Sequence, residues 1–456
     1  MKLSHIKAIK GETGNMKQLY SLSVIGLGKL GLCTAACFAS KGFKTIGVDI
    51  DIDKITKVNK GISPIDETGL QAMLKRAKKN IMAISDYDFA ILNSDITFIV
   101  VATPSLADGS FSNDYLEKSL LKIGASLKKK KKYHLVVVTS TVMPQTVETV
   151  VKYILENTSG KKCGRDFGVA YNPEFIALGS VLHDFLNPDF ILIGEVNKID
   201  GDMLEFLYTK TCENKPRFAR MSPLNAEITK ISLNCYITTK ITFANSISAL
   251  CEGVKGADAS VITQALGLDT RVGSKYIKPG LGYGGPCFPR DNVAFSAFAR
   301  RLEKKAKLAE MVDEVNKDQV MRVIEKINVL TERLHKPKNK TKICVLGLSY
   351  KPNTPIIEDS QAISIVQILV NEGFPVNVYD PQAQQNARGV LGTTVTYFEH
   401  IEECLSGINL AVIAVPWIEF KNINFRKLSK KTIFLDCWRI LDGVKGINTY
   451  HLGVGY

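Results

Sequence analysis

No apolar run in these 456 residues is long enough to cross a bilayer, and the opening stretch MKLSHIKAIKGETGNMKQ lacks the apolar segment of a secretory signal. The ten cysteines include no C-x-x-C pair and no cluster at metal-ligand spacing, so no metal and no disulfide framework are expected. Aromatic residues are not interleaved with basic ones, and no nucleic-acid-binding module is recognisable. These absences point to a cytoplasmic protein in a reducing compartment, with neither membrane nor nucleic acid as partner. The net charge of +14 then favours small phosphate-bearing ligands. The densest basic block, Lys128 to Lys132, follows an amphipathic segment and precedes LVVVTS, and reads as a solvated helix end and turn.

What is present begins with YSLSVIGLGKLGLCTAACFASKGFKTIGVDID, which reads as strand, tight turn, helix and strand. Gly26, Gly28 and Gly31 stand in G-x-G-x-x-G register, with Lys29 and Leu30 completing the turn, and Asp49 ends the second strand. In such a unit the first glycine makes the turn, the second admits a pyrophosphate and the third lets the helix pack on the strand. The helix start then faces the phosphates. Asp49 is expected on the ribose hydroxyls, favouring NAD over NADP, with Lys54 close by as an opposing charge.

A second constellation is GGPCFPRD, Gly284 to Asp291. Pro289 suits the first turn of a helix, and NVAFSAFARRL continues with apolar residues at helical spacing, so Cys287 is expected at a positive helix end. Arg290 adds a positive charge nearby, and Gly282, Gly284 and Gly285 allow a substrate close to the backbone. A nucleophilic cysteine beside a nicotinamide site can carry an aldehyde through a thioester to an acid.

Between these motifs DITFIVVATPS, HLVVVTSTVMP, FGVAYNPEF and DFILIGE read as buried strands of a parallel sheet, with Thr103, Thr141 and Glu174 at their carboxyl ends, where ligands of such sheets bind. Helix is expected from about Pro223 to Gly253, with enough apolar character to be buried against another element or subunit. Lys230 and Asn234 lie four apart on one face of it, a cation and an amide able to stabilise an oxyanion. RLHKPKNKTK is a charged linker, and a second strand and helix alternation starts at KICVLGLSYKPN. That unit has no complete G-x-G-x-x-G and is expected to hold a mononucleotide rather than a second NAD.

With VIGLGKLGL, GVDID, GISPIDETGL, VVATPS, TSTVMPQT, NPEF, AEITKISLN, RVGSKYIKPGLGYGGPCFPRD, GLSYKPNT and VPWIEF, the chain from about residue 20 resembles the UDP-glucose/GDP-mannose dehydrogenase family. The cysteine motif is the most specific segment, and Phe288 after Cys287 matches the branch acting on UDP-glucose. The resemblance implies an α/β fold of two Rossmann-like, doubly wound parallel-sheet domains joined by a central all-helical dimerisation region. The expected divisions are an extension over 1–18, an NAD domain over 19–210, the central region with the cysteine over 211–325 and a UDP-sugar domain over 326–456.

It also implies oxidation of a nucleotide hexose at C6 to a carboxylate with two NAD. Cys287 would carry the thiohemiacetal and thioester, and Lys230 and Asn234 would stabilise the oxyanion. Thr141, Glu174 and Asp291 would position and deprotonate water. Thr103 and Thr141 would line the cofactor site, and Glu174, Phe175 and Gly284 the substrate site. Tyr276, Lys278, Tyr350 and Lys351 would hold the uridine diphosphate. Arg271 would reach the nucleotide sugar of a neighbouring subunit, making the site depend on a homodimer. The chain departs from the family pattern at Leu178, where a glutamate is usual, at Glu358, in place of an arginine near the NAD pyrophosphate, and at Trp438, where arginine is common. The sugar itself stays open among UDP-glucose, a UDP-N-acetylhexosamine and GDP-mannose, as does a paralogue that binds without catalysis.

Overall fold

The computed structural model describes residues 19–456, so the expected extension over 1–18 lies outside the described residues. The chain forms two compact units, one ending at Lys230 and one beginning at Ile231. The division falls inside a single helix, Pro223–Glu252.

The first unit is built on an eight-stranded sheet. Its strands are β1 (Leu22–Ile25), β2 (Thr45–Val48), β3 (Ile81–Ile84), β4 (Ile96–Ile99), β5 (Leu135–Val138), β6 (Gly168–Tyr171), β7 (Phe190–Glu195) and β8 (Arg217–Met221). The spatial order β3-β2-β1-β4-β5-β6-β7-β8 opens with the 3-2-1-4-5-6 order of dinucleotide-binding sheets. β1, β4, β5 and β6 are buried at every position, which is why they read as unbroken apolar runs. The helix Lys29–Ser40 is buried from Gly31 to Ala39. Its Phe38 ring sits among Phe43, Phe98, Phe185 and Tyr208, with centroids 5.1 to 6.3 Å away.

Two expectations fail here. DFILIGE is a strand, but β7 runs antiparallel to β6, and β8 pairs parallel to β7. A strand buried on both faces carries no alternation, so its pattern is the same whichever way it runs. The chain from Asn172 to Asp189 holds one six-residue helix, Val181–Leu186, shorter than the crossover a parallel return needs. The basic block is also not wholly solvated. Lys130, one residue past the helix Asp114–Lys129, is buried and donates to the carbonyls of Ile91 and Ser94, both at 2.5 Å. Burial pulls its ammonium down to about 8. A lysine that caps the carbonyls at a neighbouring helix end is indistinguishable in sequence from its solvated neighbours.

The second unit begins with helices: the remainder of Pro223–Glu252, then Ala259–Leu268, Phe288–Arg301 and Lys307–Glu332. A six-stranded sheet follows, made of β9 (Ile343–Leu346), β10 (Val376–Tyr379), β11 (Thr396–Tyr397), β12 (Leu410–Ile413), β13 (Ile433–Asp436) and β14 (Asn448–His451). Its order, β11-β10-β9-β12-β13-β14, is again 3-2-1-4-5-6, and every pairing is parallel.

The two sheets repeat one device. Gly26 after β1 and Gly347 after β9 adopt φ +92° and +94°, and each donates its N–H at 2.8 Å to the last residue of the neighbouring strand. One residue on, Leu27 N donates to Asp49 at 2.8 Å, and Leu348 N donates to Asp380 at 2.7 Å. The scaffolds then part. In the first unit the helix starts directly at Lys29, whereas in the second a loop runs to the helix Gln361–Asn371. Asp380 is also filled internally, accepting from Ser349 N, Gln382 N, Ala383 N and the indole of Trp417.

Candidate active-site residues

In the first unit the three glycines of the turn differ in their surroundings. A Cβ at Gly26 would lie 2.3 Å from the Val100 carbonyl oxygen, and one at Gly31 would lie 1.9 Å from that of Gly26. A Cβ at Gly28 meets nothing within 4 Å, so the space above the helix start is open. No side chain caps that start, leaving its first N–H groups directed outward. Asp49 is nearly buried, and its Oδ2 takes Leu27 N at 2.8 Å and Lys54 Nζ at 3.2 Å. Burial pushes its carboxyl up, but the amides of Asp51 and Leu27 and the Lys54 ammonium outweigh this and hold it below its usual range. An open helix start, a fixed carboxylate and an uncrowded glycine fit a dinucleotide.

Thr103, Thr141 and Glu174 follow β4, β5 and β6, three neighbouring strands. The Thr103 hydroxyl donates to the Thr141 carbonyl at 2.7 Å, joining two of the loops. Lys230, buried despite its charge, donates to the Glu174 carbonyl at 2.6 Å and lies 4.5 Å from the centroid of the Phe175 ring. Burial pushes the Glu174 carboxyl up to about 7, against the opposing pulls of the Tyr208 hydroxyl at 3.1 Å and the Lys230 ammonium. A carboxyl near neutrality is suited to taking a proton at physiological pH. Leu178 packs against the apolar core beside this loop, so the residue standing for the usual glutamate serves as filling.

In the second unit Cys287 is exposed and is the N-cap of Phe288–Arg301, with Pro289 in the first turn. Asp291, one turn on, is buried and accepts from Asn234 Nδ2 at 2.6 Å. Phe288 stands edge-on to the rings of Tyr276 and Tyr283, with centroids 6.4 and 6.3 Å away. The glycine loop ahead of the cysteine is braced on all sides. Gly285 N donates to the Glu358 carbonyl at 2.9 Å, a Cβ at Gly284 would lie 2.2 Å from the Asp359 carbonyl oxygen, and the Tyr350 ring lies against Gly285. Glu358 enters that hydrogen bond only through its backbone. Lys351 Nζ lies 5.9 Å from the centroid of the Tyr350 ring. Trp438 packs its ring on Gly280 and donates its indole N–H to the Ala414 carbonyl at 2.8 Å. Arg271 is turned to solvent, its guanidinium on Asp269 at 2.6 Å, and Lys278 is exposed.

Family models match the chain in three consecutive stretches described as the NAD binding domain over 20–212, the central domain over 224–318 and the UDP binding domain over 344–443 of one family. The chain belongs to the UDP-glucose/GDP-mannose dehydrogenase family. A UDP-glucose 6-dehydrogenase of Haloferax volcanii is 34% identical over 431 residues, covering 94% of this chain and 98% of the relative. A GDP-mannose 6-dehydrogenase of Pseudomonas putida is 35% identical over 367 residues, covering 80% and 81%. Among solved structures, a UDP-glucose dehydrogenase from Pyrobaculum islandicum superposes with a TM-score of 0.87 at 32% identity, covering 98% of this chain and all of that one. Membership makes this chain an NAD-dependent nucleotide-sugar 6-dehydrogenase, with an NAD-binding domain ahead of a UDP-binding one. Among the described residues no helix is long and apolar enough to cross a membrane, and no group of His, Cys, Asp and Glu is arranged to hold a metal.

Sequence reasoning missed the side chains that hold these loops. Asn316 accepts from Tyr283 N at 2.8 Å and donates to Tyr283 O at 2.9 Å, Gln361 accepts from Gly282 N at 2.6 Å, and Asn245 accepts from Gly280 N at 2.9 Å. Asn292 donates to the Tyr283 hydroxyl at 2.9 Å and accepts from Thr238 at 3.1 Å. In the first unit, Glu227 accepts from Gln145 N at 2.7 Å and Val147 N at 2.8 Å, fixing the chain beyond Thr141. No local signal distinguishes them: Asn316 stands among charged residues in DEVNKDQ, and an amide on a helix ordinarily faces water.

Proposed function

We propose that the chain oxidises the C6 hydroxyl of UDP-glucose to the carboxylate of UDP-glucuronate, reducing two NAD. The observation that carries this is Cys287, exposed at a helix start and followed one turn later by the buried Asn234–Asp291 pair. Bound NAD supplies the acceptor for each of the two hydrides. The Cys287 sulfur adds to the C6 aldehyde, giving a thiohemiacetal that retains the intermediate; loss of the second hydride leaves a thioester. Water cleaves the thioester and returns the thiol. Asn234 and Lys230 stabilise the oxyanion, while Thr141, Glu174 and Asp291 orient and deprotonate the water. Support for the sugar comes from the Haloferax and Pyrobaculum relatives and from Phe288 after the cysteine.

GDP-mannose is the second reading, favoured by the Pseudomonas relative. NADH production from a panel of nucleotide sugars decides between them. Two NADH per UDP-glucose with no aldehyde trapped in solution is the expected result; preference for GDP-mannose would replace the sugar, and one NADH with free aldehyde would remove the thioester route.

The division into an NAD domain, a helical dimerisation region and a UDP-sugar domain belongs to the same proposal. Tyr236, Phe243 and Leu250, seven apart on the long helix, are 60%, 55% and 74% exposed, an apolar stripe that supports a homodimer. Arg271 of one chain would then serve the other. Phe243→Glu should yield monomers by light scattering with much reduced activity, and a fully active monomer would remove this part of the reading.

A further inference from the structure

The segment GISPIDETGL has no part in the chemistry above, yet one of its two acids is buried. Glu67 is 7% exposed, and its carboxylate accepts from Gly179 N at 3.2 Å on Oε2 and from Val181 N at 3.0 Å on Oε1. On the same Oε2, at 3.4 Å, lies the ammonium of Lys29. Gly179 and Val181 end the loop that starts at Glu174, the residue whose carbonyl holds Lys230. Lys29 is the first residue of the helix behind Gly28, beside the open space at the glycine turn. One buried carboxylate therefore touches the loop after β6 and the loop after β1, over 100 residues apart in sequence.

A buried carboxylate with a cation on one side and two amides on the other is a strong, directional tie. An ammonium has three donors, so Lys29 can hold Glu67 and an anion at the helix start together. We propose that Glu67 is a positioning residue that couples the cofactor loop to the Glu174 loop through Lys29, so that NAD at the glycine turn orders residues 174–181. The inference rests on the dinucleotide site and on the role proposed for Glu174.

The test is hydrogen exchange by mass spectrometry on the full chain, with and without NAD, for the wild type, Glu67→Gln and Lys29→Met. Lys29→Met keeps both hydrogen bonds between Glu67 and the amides, so it separates coupling from folding. In the wild type NAD should slow exchange at Gly179 and Val181 about tenfold or more, and in both variants, at saturating NAD, this protection should be lost. Glu67→Gln should also lower kcat about 100-fold, as a misplaced reacting group does, with KM for the sugar little changed, and Glu67→Asp should restore part of it. NAD-dependent protection that persists in both variants, or that is missing from the wild type, overturns the tie. A loop that responds to NAD in a chain that oxidises no nucleotide sugar leaves the tie standing and sinks the functional reading instead.

Discussion

Gly284→Ala tests whether the loop ahead of Cys287 is held by its neighbours. The added Cβ would lie 2.2 Å from the carbonyl oxygen of Asp359, about 1 Å short of ordinary contact. The obstacle is backbone and cannot rotate away as a side chain would. Gly284 has no positive φ, so alanine brings no dihedral strain and the effect is steric alone. The loop must therefore shift by roughly 1 Å, three residues before the sulfur. A displacement of that size in a reacting group costs about 100-fold in rate, or ~2.7 kcal/mol of barrier, and overpacking adds about 1–3 kcal/mol of lost stability. Steady-state NADH absorbance with UDP-glucose, NAD affinity by calorimetry and melting by fluorimetry separate the effects: kcat falls about 100-fold, NAD affinity stays and the melting temperature drops a few degrees. Gly28→Ala is the control, because its Cβ meets nothing within 4 Å. It should melt like the wild type while losing NAD affinity. A Gly284→Ala enzyme with wild-type kcat would show that the loop is not fixed by Asp359.

Cys287→Ser should slow turnover by orders of magnitude with UDP-glucose affinity nearly unchanged, since the sulfur acts in a transient bond; wild-type rates in that variant or in Cys287→Ala would make the cysteine structural. NADP should be used far worse than NAD, because Asp49 is held as a carboxylate at the glycine turn, and comparable kcat/KM for the two would show that Lys54, 3.2 Å away, dominates. The Glu174 carboxyl is raised to about 7, so if it serves as the proposed base kcat should climb as pH rises through about 7; a flat profile between pH 6 and 8 would remove it from that role. Stability should move oppositely. The folded state binds the Glu174 and Glu227 protons more tightly than the unfolded chain does, each folded value being about 7, so their contribution is full below about pH 4.5 and is lost as pH rises through 7.

The parts legible from sequence were those in which backbone geometry dictates the residue. Gly26 needs its positive φ, Gly31 has a carbonyl where a side chain would be, and Pro289 announces the helix behind Cys287. Strand direction was illegible in β7, where burial of both faces erases the alternation. The braces around Gly280 to Gly285 were illegible for another reason. Asn245, Asn316 and Gln361 occupy helices whose polar residues ordinarily face water, and only the tertiary fold brings them onto one loop. Trp438 illustrates the reverse case. In sequence it looked like a lost arginine; in the fold its ring covers Gly280, a contact that an arginine's polar head would not reproduce.

The paired carboxylates Asp49 and Asp380 also bear on how the chain is loaded. One scaffold appears twice, yet the second acid is spent on Leu348, Ser349, Gln382, Ala383 and Trp417, and a loop replaces the helix start behind it. With the duplicate matching a UDP binding domain, the chain is expected to saturate at one equivalent of NAD however concentrated the cofactor. On the proposed thioester route two oxidations would then be served by one berth. The reduced nucleotide would have to leave and a fresh one enter while the sugar stays on the sulfur, so the lifetime of that adduct would follow the rate of cofactor exchange.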